Sequence, residues 1–128
     1  MSHRIVICDD EPHIIRAVQM KLTKAGFAVE TAPDGMAALE AIQREQPELL
    51  ISDCQMPRMG GIELARRLRA EPATGNLPII LLTAKGYEFD QDQIQRDLWL
   101  SHVMLKPFSP RELLGIVRET LGLPVTAD

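Results

Sequence analysis

Aromatic side chains are scarce in this chain: one Trp, one Tyr and three Phe, 4% of the residues. That is too few for bases stacked on aromatic platforms or a cofactor held between rings, and it points to an aliphatic core. Positive charge is also in short supply. Lys and Arg number 14 against 18 Asp and Glu, giving a net charge of -4 and a pI near 5.4. Direct nucleic-acid binding, which needs clustered Lys and Arg against phosphates, is not expected. Cysteine is limited to Cys8 and Cys54, both in apolar surroundings. They read as small buried thiols of a reducing compartment, not as a disulfide framework. Long apolar runs are missing too. The longest, residues 77–82, falls far short of the ~20 residues that cross a bilayer. At the amino end, residues 5–8 fall short of the ~7 to 15 apolar residues of a signal peptide. A cytoplasmic protein without membrane contact is expected.

What is present is enough for one domain. The chain has 128 residues, 45% of them hydrophobic, which supplies a sizeable core without disulfide or metal staples. Short apolar runs recur at residues 5–8, 28–32, 49–52, 79–82 and 103–105, each of strand length. Helical stripes lie between them. Ile14, Val18, Leu22 and Ala25 mark the first, with Pro12 suited to its opening turn and Gly26 to its exit. Leu39 and Ile42 mark the second, and Ile62, Ala65 and Leu68 the third. A fourth, poorly patterned helix near residues 91–98 shows only Ile94 and Leu98 on its inner face. Leu113, Val117 and Leu121 mark the last, opened by a capping box of Ser109 and Glu112. Strands without polar alternation must be covered on both faces, so five alternations of strand and helix predict a doubly wound α/β domain with a parallel sheet. One domain fills residues 1–128, with its core at 4–121 and a short tail at 122–128.

In such a sheet, ligands bind beyond the carboxyl ends of the strands. The first strand runs into Asp9 and Asp10, the third into Asp53, the fourth into Thr83, and the fifth into Lys106 and Pro107. All fall on one edge. Converging carboxylates repel one another unless they share a proton or bind a cation, and oxygen-only donors suit magnesium. Lys106 and the Thr83 hydroxyl add a positive charge and a donor, equipment for the oxygens of a transferred phosphoryl group. No Ser or Cys nucleophile sits beside a base there, so a carboxylate is the natural acceptor, forming an acyl phosphate. Taken singly, each residue has a plainer reading: a helix cap for Asp9, a turn residue for Thr83, a solvated charge for Lys106. His3, His13 and His102 lack metal-ligand spacing and read as surface or satisfied histidines.

Asp9-Asp10-Glu11-Pro12, Asp53 followed by Met56-Pro57 and Met59, Thr83-Ala84 and Lys106-Pro107-Phe108 together resemble the receiver domain of two-component response regulators. The resemblance covers residues 4–121. It implies a flavodoxin-like fold with strand order 2-1-3-4-5 and a phosphoryl group accepted on Asp53 from a sensor histidine kinase or a histidine phosphotransfer protein. It implies magnesium, or manganese in its place, held by Asp10, Asp53 and the Gln55 backbone carbonyl, with Asp9 acting through water. Thr83, the Ala84 backbone amide and Lys106 would hold the phosphoryl oxygens. The domain would catalyse only its own phosphorylation and dephosphorylation, and would signal to a downstream protein target.

Three departures from the family pattern stand out. Val103 occupies a place usually held by Tyr or Phe in switching receivers. Trp99-Leu100-Ser101-His102 replaces the Gly-Ala pair that commonly precedes the fifth strand, and Gly60 replaces the usual Asp or Asn. Valine, stiff at χ1, cannot swing as a ring does, so although Val103 holds the usual switch position, the change is expected to run through the neighbouring segment Lys85–His102, which contains Trp99. Two rivals are a receiver-like interaction module that acts without phosphorylation and a flavin carrier of similar topology. The second is disfavoured by the acidic loop at residues 9–13, where a flavin phosphate needs backbone amides.

Overall fold

The computed structural model describes residues 3–84 and 91–124. Five strands, β1 (Arg4–Cys8), β2 (Ala28–Ala32), β3 (Leu49–Asp53), β4 (Ile79–Ala84) and β5 (His102–Lys106), alternate with α1 (Pro12–Lys24), α2 (Gly35–Arg44), α3 (Gly61–Ala70), α4 (Gln91–Leu98) and α5 (Pro110–Thr120). All pairings are parallel, and the sheet order is β2-β1-β3-β4-β5. This is the doubly wound arrangement expected from the unbroken apolar runs. In β3 every residue is buried, because helices cover both faces.

Two aliphatic layers flank the sheet. On one side, Val18 and Leu22 of α1 and Leu113 and Val117 of α5 pack on Ile5, Ile7, Ile51, Ile80 and Leu82. On the other, Ile42 of α2, Leu64 and Leu68 of α3 and Leu98 of α4 pack on Val6, Leu50, Ile79 and Leu81. Alternate residues of one strand thus feed opposite cores, as the pleat requires. Cys8 and Cys54 are buried in the second layer.

The helix signals act where expected. Pro12 and Pro110 open α1 and α5, and Ser109 and Glu112 form the reciprocal capping box of α5. Gly26, at φ +103°, supplies the left-handed turn after α1. Two details differ. β4 extends through Thr83 and Ala84, so Thr83 lies within the strand. A single turn of 3₁₀ helix, Pro72–Thr74, follows α3. Thr74 locks it by donating from its hydroxyl to the Leu68 carbonyl at 2.6 Å.

Candidate functional site

The strand order reverses between β1 and β3, and the carboxyl ends of these two strands carry the acidic residues. Asp53 closes β3 and is 6% exposed; Asp9 follows β1 and is fully buried. One oxygen from each of Asp9, Asp10, Glu11 and Asp53 lies within 4.8 Å of the others. Lys106, at the end of β5, reaches into this group. Its Nζ stands 2.6 Å from Glu11 Oε2, 3.1 Å from Asp9 Oδ2 and 3.3 Å from Asp53 Oδ1. The Cys54 amide donates to Asp53 Oδ1 at 2.9 Å, and the Glu11 amide donates to Asp9 Oδ1 at 2.9 Å. Asp9 Oδ2 faces the Lys106 ammonium as an ion pair but takes no well-aligned hydrogen bond among the described residues.

Burial is the main cause of the charge perturbations here. It pushes Asp53 up to about 6, reinforced by the Asp9 charge and opposed by Lys106. Asp9 is also raised, by burial first. The hydrogen bond from Lys106 holds Glu11 below its ordinary value. Burial works against the Lys106 charge, yet Glu11, Asp9 and Asp53 together outweigh it and hold the ammonium above its usual range. One cation thus serves several crowded carboxylates, and that imbalance is relieved by additional positive charge.

The donors are hard oxygens, a set that suits magnesium or manganese. The buried Asp9 Oδ2, without a hydrogen bond, fits a site built to hold more positive charge than the protein supplies.

A cleft of about 790 Å³ opens over these groups, lined by Asp10, Asp53, Gln55, Ala84 and Lys106 among others. Asp10 and Gln55 are exposed in it. Thr83 is fully buried, and its hydroxyl reaches the Ala84 carbonyl only at 3.5 Å. β4 and β5 are in register such that Thr83 sits opposite Leu105 and Ala84 opposite Lys106. The structure therefore brings Asp9, Asp10, Asp53, Gln55, Ala84 and Lys106 together, with Thr83 one residue behind. Val103 is partly buried against the second core layer, and Trp99 is 72% exposed. Lys85 lies outside the described residues. Sequence reasoning missed Glu11 as a partner of Lys106, because 95 positions separate them; its place between Asp10 and the helix-opening Pro12 was the one available signal.

Residues 5–118 match the family described as the response regulator receiver domain. The chain belongs to that family. Among curated relatives, this receiver is 38% identical over 94% of its length to the alkaline phosphatase synthesis transcriptional regulatory protein PhoP of Bacillus subtilis. It is 37% identical over 91% of its length to the probable transcriptional regulator ycf27 of Galdieria sulphuraria. The matches cover 49% and 44% of those proteins, so the chain spans about half the length of the curated relatives it matches. Among solved structures, the receiver resembles a response regulator of Chloroflexus aurantiacus, with a TM-score of 0.85 and 32% identity over 95% of this chain and 99% of that one. The chemotaxis response regulator CheY4 of Vibrio cholerae gives the same TM-score at 29% identity, over 94% and 99% of the two chains.

Proposed function

We propose that this receiver accepts a phosphoryl group on Asp53 from the phosphohistidine of a sensor histidine kinase or a histidine phosphotransfer protein, and thereby changes its binding to a downstream protein target. The observation that carries the reading is the position of Asp53 at the end of the central strand, 3.3 Å from the Lys106 ammonium and among the carboxylates of Asp9, Asp10 and Glu11. In the reaction a carboxylate oxygen of Asp53 attacks phosphorus. The P–N bond breaks, and its electron pair stays with the imidazole of the donor. Lys106 moves its ion pairing toward the phosphoryl oxygens, and the Ala84 amide and Thr83 hydroxyl donate to them. Asp10, Asp53, the Gln55 carbonyl and, through water, Asp9 would hold magnesium or manganese, which supplies positive charge for the crowded oxygens. Beyond this transfer and the hydrolysis that passes the phosphoryl group to water and frees the Asp53 carboxylate, the domain performs no catalysis of its own.

No described helix is long and apolar enough to cross a membrane, and the acidic balance is unlike a nucleic-acid surface. The receiver reading itself implies a cytoplasmic domain whose partners are proteins. A module that binds its partner without phosphate would have no use for a buried carboxylate and lysine facing each other, which costs desolvation. Incubation with acetyl phosphate and magnesium, read by intact mass, tests the proposal. The wild type should gain one phosphoryl group and Asp53→Asn none; an undiminished gain in Asp53→Asn would remove Asp53 from its role.

A further inference from the structure

The loop between β3 and α3 is fastened to the start of α2. Asp34 is the N-cap of α2, and its Oδ1 accepts the Ala37 amide at 2.8 Å. Its Oδ2 accepts two donors from Arg58, Nε at 2.9 Å and Nη2 at 2.7 Å. One carboxylate thus starts a helix and holds a loop. The Gly35 amide donates to the Met59 carbonyl at 3.1 Å, and a Cβ on Gly35 would lie 2.4 Å from that same oxygen. The loop rests flush on the helix start, with no room for a side chain between them.

Arg58 has φ +66°, in the left-handed region that disfavours residues with a Cβ. Such a conformation persists only where the surroundings hold it, and it is concentrated at functional sites. Global stability is a weak explanation for the pair. The Arg58 side chain is 63% exposed, although the Asp34 carboxylate it reaches is only 9% exposed; solvent screens the cation's half of the pair, and Asp34 keeps its capping bond to the Ala37 amide without Arg58. The same loop does, however, carry Gln55 into the cleft beside Asp10 and Asp53.

We propose that Arg58, acting through Asp34, is a positioning residue that holds the loop backbone so that Gln55 presents its carbonyl to the acidic cluster. This rests on the receiver reading given above. Removing the clamp lets the loop sample other conformations and weakens the cation site without unfolding the domain.

The test is a magnesium titration followed by amide chemical shifts, with urea unfolding measured alongside. Arg58→Gly removes the guanidinium and also the strain at φ +66°. Asp34→Asn keeps a competent helix cap but loses the charge facing Arg58. Each should weaken magnesium binding about fivefold, the scale of one ordinary hydrogen bond, and Arg58→Gly should be at least as stable as the wild type. The double variant should bind magnesium no more weakly than either single one, since both break the same link. Arg58→Lys, which keeps the charge, should recover part of the loss. Wild-type magnesium affinity in Arg58→Gly and Asp34→Asn, or losses that track lowered stability, would overturn the proposal. The acetyl phosphate experiment reads Asp53 separately, so a wild type that binds magnesium but gains no phosphoryl group counts against the acceptor role and leaves the clamp to be decided by the titration.

Discussion

Gly61 opens α3 directly against the strand that presents Asp53. A Cβ built on it would stand 2.2 Å from the Asp53 carbonyl oxygen and 2.9 Å from both Leu81 Cδ1 and Ser52 Oγ. Real Cβ atoms essentially never come within 3.0 Å, so Gly61→Ala must drive the helix start and the backbone of Asp53 apart by most of an ångström. The nearest atom is backbone, and no rotamer change relieves it. Overpacking of this kind costs about 1–3 kcal/mol, which in a domain of this size lowers the melting temperature by roughly 4 to 12 °C. Gly115, inside α5, is the matched control: a Cβ there meets nothing within 4 Å. Gly115→Ala should stabilise by about 0.5–1 kcal/mol. Both substitutions restrict the unfolded chain similarly, so the difference between the two variants reports mainly the contact at Asp53. Urea unfolding at fixed pH, with the slope checked for constancy, gives that difference. If Gly61→Ala proves as stable as Gly115→Ala, the close approach of α3 to Asp53 is not a constraint and the argument fails.

Two further outcomes follow from the geometry. Cys8 is fully buried, and burial pushes its thiol up to about 12, so it should resist iodoacetamide in the native state at pH 8 and react once urea unfolds the chain; rapid native labelling at Cys8, read by peptide mapping, would contradict its placement. The chain has one tryptophan, so magnesium with a phosphoryl mimic should shift Trp99 emission in the wild type and leave most of that shift absent in Thr83→Ala; equal shifts, or none despite proven binding, would exclude this segment from the switch.

Much of the fold was legible because its signals are local. Residues 49–52 and 79–82 contain no charge, and a strand without alternation can only lie between two covered faces. Ser109 with Glu112, and Pro12 before an apolar stripe, mark helix starts through groups a few positions apart. The acidic residues and Lys106 could be placed on one edge because parallel strands all end on the same side. Long-range pairings of charged side chains were not legible in the same way. Arg58 and Asp34 are 24 positions apart, and each looks like an ordinary turn residue; only the closed fold shows one holding the other. Gly61 is the first residue of a helix pressed on the sheet, a close approach that only the closed fold shows. The extension of β4 through Ala84 was missed because the apolar run stops at Leu82, while the pairing of Thr83 with Leu105 depends on β5.

The strand that carries Lys106 lies at the border of the sheet. β1, β3 and β4 each have a strand on both sides, but among the described residues β5 is hydrogen-bonded to β4 alone, and Leu105, just before Lys106, is 47% exposed. Lys106 is therefore mounted on the most compliant strand that serves the site. A pull on its ammonium has one hydrogen-bonded neighbour to resist it, and the rung that takes the load first is Ala84 opposite Lys106, followed by Thr83 opposite Leu105. Force applied at the charged end of β5 would pass first to Thr83 and Ala84, which pair with β5 beyond the last rung that joins β4 to β3.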